Sequence, residues 1–424
     1  MNRIAIIAAL ASVAAVISFV AFFSLTPSPN AAGPEPLPSP VSVSSPEDRP
    51  EIADASLAAE PVAAGFLFPT SMAFVGDDAL LVLEKETGAV YLLTDGTKTQ
   101  LLKMSVSRGA EQGLLGVAVT DAPEGGSKYV FIYLTESGSS GNALGNRIYR
   151  YTWDGRTLSN QSLVLELPAL PGPIHNGGKL AASNRGELFT VIGDVNRIVT
   201  GPLTNESAGE IDDTSVIVRI DLDGQPFADN PFTSYGRKSL SYYYAYGVRN
   251  SFGMDIDPLT GVLWATENGP DQYDELNVVH PGMNSGWRKL TGPLDRSGVA
   301  EGDLMYLDGA KYQDPAFSWK SSIGVTDIEF ITTDKLGEKY RNNILVGDYN
   351  AGNLYYFTVN GGRDGIVTGE PNLEDLVADS YGESLLIRLG VFPSGITDIE
   401  TGPDGYVYVL TFSGQIYRIV PAAS

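Results

Sequence analysis

From Thr70 to the end of the chain one theme returns six times. A short segment with apolar residues at every second position is followed by a Gly- or Asp-containing turn and then by an aromatic-rich segment of the same kind. The six units run from Thr70–Phe74 to Val90–Leu93, from Gly113–Val119 to Asn146–Trp153, and from Gly177–Asp194 to VIVRIDL. They continue from Ser251–Gly269 to ELNVV, from Gly324–Phe330 to NLYYF, and from Gly395–Thr411 to QIYRI. A period of two marks half-buried strands rather than helices. Turns such as Asp257-Pro258-Leu259-Thr260-Gly261 and Gly402-Pro403-Asp404-Gly405 supply the backbone angles of tight hairpins. One such unit cannot bury both faces alone, so its neighbours must stack on it. The expected fold is therefore all-β, a six-bladed β-propeller with four strands per blade. A seventh blade is expected only if Asp295 to Trp319 hides a degenerate repeat, and the competing architecture is an irregular β-sandwich or solenoid.

The ends and the charge place this ring in a compartment. Ile4 to Leu25 carries no charge over 22 residues and follows Arg3, long enough for a bilayer-spanning helix of roughly 20 residues. Residues 1–25 thus read as a retained signal anchor or a cleaved signal peptide, and both put the rest of the chain outside the cell membrane. Residues 26–60, rich in Pro, Ser, Ala and Glu, read as a disordered linker, and the propeller is expected over 61–424. With 51 acidic against 28 basic residues the net charge is −23, which repels phosphate backbones and argues against nucleic-acid partners. The expected membrane contact is through the N-terminal helix alone. The absence of cysteine excludes disulfides, thiolate metal sites and a cysteine nucleophile.

Three loops that lead into strands carry chemistry. In Leu170-Pro171-Gly172-Pro173-Ile174-His175-Asn176-Gly177-Gly178-Lys179-Leu180, a histidine sits among Pro and Gly. An imidazole there can take a proton near neutrality or simply satisfy loop carbonyls. In Tyr246-Gly247-Val248-Arg249-Asn250-Ser251-Phe252-Gly253, Arg249 and Asn250 form a fork of donors for an oxygen-rich ligand, or a tie between adjacent blades. In Thr266 to Asn277, the Gly269-Pro270 turn and four carboxylates offer hard oxygen ligands suited to calcium, or a solvated acidic turn. His280, in Val279-His280-Pro281-Gly282, reads as structural.

These loops, in this order, resemble the glucose/sorbosone dehydrogenase family. The matching stretches are Glu111-Gln112-Gly113-Leu114-Leu115-Gly116, His175 to Leu180 with Ile192-Gly193-Asp194, Gly247-Val248-Arg249-Asn250, and Glu267-Asn268-Gly269-Pro270 through Asp274-Glu275-Leu276-Asn277. Asn284-Ser285-Gly286-Trp287 and Gly402-Pro403-Asp404-Gly405 match as well. The resemblance implies a six-bladed propeller that oxidises an aldose hydroxyl with pyrroloquinoline quinone (PQQ) and calcium and passes electrons to an external acceptor. It implies His175 as general base and Arg249 as polarising cation. Glu111 and Asn250 would line the cofactor pocket, and Gly269 and Pro270 would offer backbone oxygens to calcium. Where the family carries a lysine and two arginines for the carboxylates of PQQ, this chain has Asn350 and the neutral run Ser394-Gly395-Ile396-Thr397. Lys179, Arg219 and Lys320 stand as candidate replacements. The alternatives are a non-catalytic propeller of the same ancestry that binds a sugar, glycan or protein, and a propeller hydrolase such as a lactonase.

Overall fold

A computed structural model describes residues 49–196, 201–206 and 211–423. The apolar segment Ile4–Leu25 and most of the linker lie outside the described residues, and no helix within them is long and apolar enough to cross a membrane.

Each of the six units folds as an antiparallel meander, because alternation along each segment gives it one face to bury. The first sheet is Pro69–Gly76, Ala79–Glu84, Ala89–Thr94 and Thr97–Lys103, and the second is Leu114–Asp121, Lys128–Ser137, Ala143–Trp153 and Leu158–Leu167. The third opens with Leu180–Ala182 and Glu187–Ile192, the fourth with Met254–Ile256 and Leu263–Glu267, the fifth with Val325–Phe330 and Ile344–Asp348, and the sixth with Ile396–Thr401 and Val407–Thr411. The opening strand of every sheet packs beside the opening strand of the next, and Ile396–Thr401 packs beside Pro69–Gly76. This cyclic order of inner strands is a β-propeller.

The sheets are less uniform than the repeat implied. Among the described residues three have four strands, one has five and two have six. Asp295 to Trp319 forms no sheet of its own. It lends Lys311–Tyr312 to the outer edge of the third sheet and Phe317–Ser321 to the fourth.

The expected boundary at 61 is corrected. Glu51–Ile52 already pairs with Arg388–Val391 on the outside of the fifth sheet. Leu57–Ala63 pairs antiparallel with Ile416–Pro421 and completes the sixth. Pro61 is accommodated because this strand is an edge, bonded on one side only.

Large side chains interleave between sheets. Trp264 of the fourth sheet meets Phe330 of the fifth edge-on at 5.9 Å, and Phe317 and Trp319 pack on Phe357 at 5.0 and 5.7 Å. Burial of each such side chain contributes about 1.5–3 kcal/mol.

Polar residues gather on the inner strands. Lys179 Nζ lies 2.7 Å from Asp327 Oδ1 and 2.6 Å from Asp398 Oδ1. The other oxygen of Asp398 accepts the Met72 N–H at 2.6 Å, and that of Asp327 accepts the Ile399 N–H at 2.9 Å. One lysine thus ties the third, fifth, sixth and first sheets together. Glu329 and Glu400 lie two residues further along the same strands, hence on the same faces, and Asp255 extends the acidic lining. Burial raises Asp255 to about 6 and Glu400 to about 8; Asp398 adds repulsion at Glu400, and Lys179 opposes the rise at both. Burial together with Asp255 and Glu400 also lifts Glu329 well above the usual carboxylate range.

A pH dependence follows. In the folded protein these carboxyls keep protons that the unfolded chain, with carboxylate pKa values near about 4, has lost. The unfolded state then binds fewer protons, so stability falls as pH rises from about 4.5 through about 8. Scanning calorimetry is expected to give a higher Tm at about pH 5.5 than at about pH 8. The opposite order would mean that these carboxyls titrate as solvated groups.

Candidate active site

His175 stands at the end of the ring where the inner strands begin. The Pro- and Gly-rich loop places it in a left-handed conformation, φ 62°, and leaves it 7% exposed. Its N–H donates to Glu111 Oε2 at 2.6 Å, and the same oxygen accepts Asn250 Nδ2 at 3.0 Å. Glu111 therefore clasps the loops ahead of the third and fourth sheets from the loop ahead of the second.

The imidazole is oriented by a carboxylate. His175 Nδ1 is 2.6 Å from Asp194 Oδ1, which also accepts the Asn196 N–H at 2.8 Å, and Trp287 Nε1 donates to Asp194 Oδ2 at 3.0 Å. Burial works to raise the Asp194 carboxyl, but His175, the Asn196 N–H and the Trp287 indole hold it below the usual value. An ionised carboxylate only accepts hydrogen bonds. Nδ1 therefore carries the hydrogen, which in a neutral imidazole leaves the lone pair on Nε2.

Arg249 joins from the adjacent loop. Its Nη1 donates to Asn268 O at 3.0 Å, its guanidinium lies 5.4 Å from the Trp287 ring, and its Nε is buried with no hydrogen-bond partner among the described residues. Burial draws its pKa down while Asp194, Glu111, Glu267 and Asp274 act against that; an arginine stays charged under such opposition. Gly193 brings the two loops together: a Cβ there would lie 2.2 Å from Arg249 O and 2.8 Å from His175 O. The Arg249 N–H donates to Glu267 Oε1 at 2.7 Å, and the Asp194 N–H to Arg249 O at 3.0 Å.

The Gly269-Pro270 turn follows directly on Glu267 and Asn268, whose N–H bonds Asn250 O at 2.8 Å. Its four carboxylates do not form the oxygen cluster expected. Asp271 is exposed, while Asp274 accepts backbone N–H groups from Gly269, Ile323, Gly324 and Val325 at 2.7–3.3 Å. Glu275 is taken by Gly292 N–H and Asn277, and Glu267 by Ser285 and Arg249. Among the described residues no group of three or more His, Asp or Glu is placed to hold a metal.

The Glucose / Sorbosone dehydrogenase family model matches residues 66–418. The chain belongs to that family. It is 29% identical to an aldose sugar dehydrogenase of Escherichia coli (strain K12) over 324 residues, 73% of this chain and 77% of that one. It is 28% identical to quinoprotein glucose dehydrogenase B of Acinetobacter calcoaceticus over 255 residues, 55% and 52% of the two chains. The fold is shared with the PQQ-bound aldose sugar dehydrogenase of Streptomyces coelicolor, with a TM-score of 0.63, 22% identity, and 86% of this chain and 98% of that one covered. Members of this family are oxidoreductases of the sugar-dehydrogenase class.

Within this family member, His175, Glu111, Arg249 and Asn250 are drawn into one hydrogen-bonded unit. The replacements for the missing cations are not. Lys179 is committed to Asp327 and Asp398, Arg219 to Glu187 and Asp229, and Lys320 to Asp379. Lys85 was not anticipated. It lies in the hairpin after Ala79–Glu84, where its carbonyl accepts the Leu114 N–H at 2.9 Å, and Glu111 bears on its charge. His280 is exposed, as a surface turn requires.

Proposed function

We propose that this protein oxidises a hydroxyl of an aldose sugar with PQQ and calcium, His175 serving as general base. The six sheets are then six blades of a closed ring with the site at one mouth. The observation that carries this reading is the Trp287–Asp194–His175 chain of hydrogen bonds beside the Arg249 Nε, which has no partner among the described residues.

One feature fits the absent group. A buried guanidinium nitrogen without a partner among the described residues suits an anionic oxygen. The Gly269 turn is closed tightly on itself, since a Cβ there would lie 2.1 Å from Gln272 O and 2.4 Å from Tyr273 O, so it has backbone oxygens to offer but no room for a side chain. Arg249, Asn250 and Glu111 would hold the quinone, and the backbone oxygens of Gly269 and Pro270 the calcium. The quinone, when bound, supplies the hydride acceptor that no side chain provides.

The chain's own residues do the rest. His175 Nε2 takes the hydroxyl proton. Asp194 fixes the tautomer and stabilises the imidazolium that results. Arg249, half-buried, places a fixed positive charge where negative charge grows, with less screening than open water would give. Gly193 sets the spacing, so Gly193→Ala, which forces the His175 and Arg249 backbones apart, is expected to lower turnover about 10²-fold. Steady-state dye-linked sugar oxidation measures this, and unchanged turnover would show that the spacing does not matter.

We also propose that the propeller works outside the cell membrane, held by Ile4–Leu25 or secreted, and hands electrons to an external acceptor. One observation favours the alternative of a non-catalytic sugar-binding propeller: every candidate replacement cation is already paired. Reconstitution with PQQ and calcium separates the two. Thermal stabilisation with aldose-dependent dye reduction supports oxidation; neither, at saturating PQQ, leaves the binding role.

A further inference from the structure

The mouth has a second wall that the proton-handling residues do not use. Phe68, Tyr349 and Phe412 come from three loops at the end of the ring where His175 stands. Phe412 packs on Phe68 at 5.1 Å, interplanar 38°, and on Tyr349 at 5.1 Å, interplanar 68°. The Tyr349 N–H donates to Gly324 O at 2.8 Å and the Phe412 N–H to Gly395 O at 2.8 Å. The trio thus occupies the sector of Asn350 and Ser394–Thr397, where the expected cations are missing. Asn350 and Ser413, both exposed, border it with neutral polar groups.

Phe68 is held there against its own preference. It is 48% exposed with φ 48°, a conformation costly for a bulky residue, and it precedes Pro69, where an extended backbone is favoured. The Lys85 N–H bonded to its carbonyl at 3.2 Å helps fix it. Strain kept at an exposed aromatic beside a binding mouth points to a ligand.

We infer that Phe68, with Phe412 and Tyr349 behind it, forms a stacking platform for the apolar face of a neutral pyranose ring. This rests on the reading of the mouth as a sugar site. An aromatic face offers contact area at little entropic cost, and Asn350 and Ser413 can bond ring hydroxyls. The net charge of −23 disfavours an acidic sugar.

The test uses the full chain without quinone, titrated with methyl β-D-glucopyranoside by saturation-transfer NMR and calorimetry. Phe68→Gly removes the ring and relieves the backbone strain. It is expected to weaken glycoside binding about tenfold with Tm unchanged or raised, and Phe68→Trp is expected to retain binding. PQQ affinity, followed by thermal shift, is expected to be equal in all three proteins. The platform is refuted if wild type binds no glycoside, if Phe68→Gly binds it as wild type does, or if Phe68→Gly loses PQQ rather than sugar. Ring-dependent sugar binding in a protein that never takes up PQQ would keep the platform and remove only the redox reading.

Discussion

Exchange of His175 for alanine is expected to cut sugar oxidation by the quinone-loaded protein about 10²–10⁴-fold, the usual contribution of a positioned general base. The site should survive the change in outline, because the contact that locks this loop to Glu111 is made by the backbone N–H of residue 175, not by its ring. Alanine is a poor occupant at φ 62°, so His175→Asn, which tolerates the left-handed region, serves as the second variant. Turnover should collapse in both while PQQ still raises the melting temperature. Turnover within about threefold of wild type would remove His175 as the base and with it the proposed chemistry.

The largest stability effect is expected at Lys179. Lys179→Met leaves Asp327 and Asp398, both buried, without the cation between them. Breaking a buried ion pair by removing one partner costs about 3–5 kcal/mol. Burial and the charge of Asp398 already hold Asp327 well above the usual carboxylate range, against the pull of Lys179, so the variant must protonate further to fold. Urea denaturation at neutral pH is the measurement, and the deficit should shrink as pH falls. Adding Asp327→Asn and Asp398→Asn should recover most of it. A deficit under about 1 kcal/mol would show the triad to be water-filled and dispensable.

Lys179 also shows where the amino-acid sequence stops informing. The sequence offers it as a candidate cofactor cation, yet it points to carboxylates on strands far along the chain, a pairing only the closed ring creates. The strands themselves were legible, because period-two alternation survives in every unit and each turn carries its Gly, Asp or Pro. Leu57–Ala63 was not: its Ala, Glu and Pro have weak strand preference, and pairing with Ile416–Pro421 overrides it. At the site, the motifs containing His175, Asp194 and Trp287 were visible, but the hydrogen bonds joining them were not, since spacing along a chain does not say which side chains converge. Phe68 gave no signal at all, one aromatic residue ahead of a proline.

The sixth sheet takes its outer strand from Leu57–Ala63 and its other three from the last segments of the chain. During synthesis that early strand emerges before any complete sheet and has no ladder partner until Ile416–Pro421 has followed. Whatever the first five sheets do by then, the circle can be fastened only when Ile416–Pro421 arrives. Closing a loop of that length comes late and slowly, and until it closes the unpaired strand edges at the seam are exposed to aggregation.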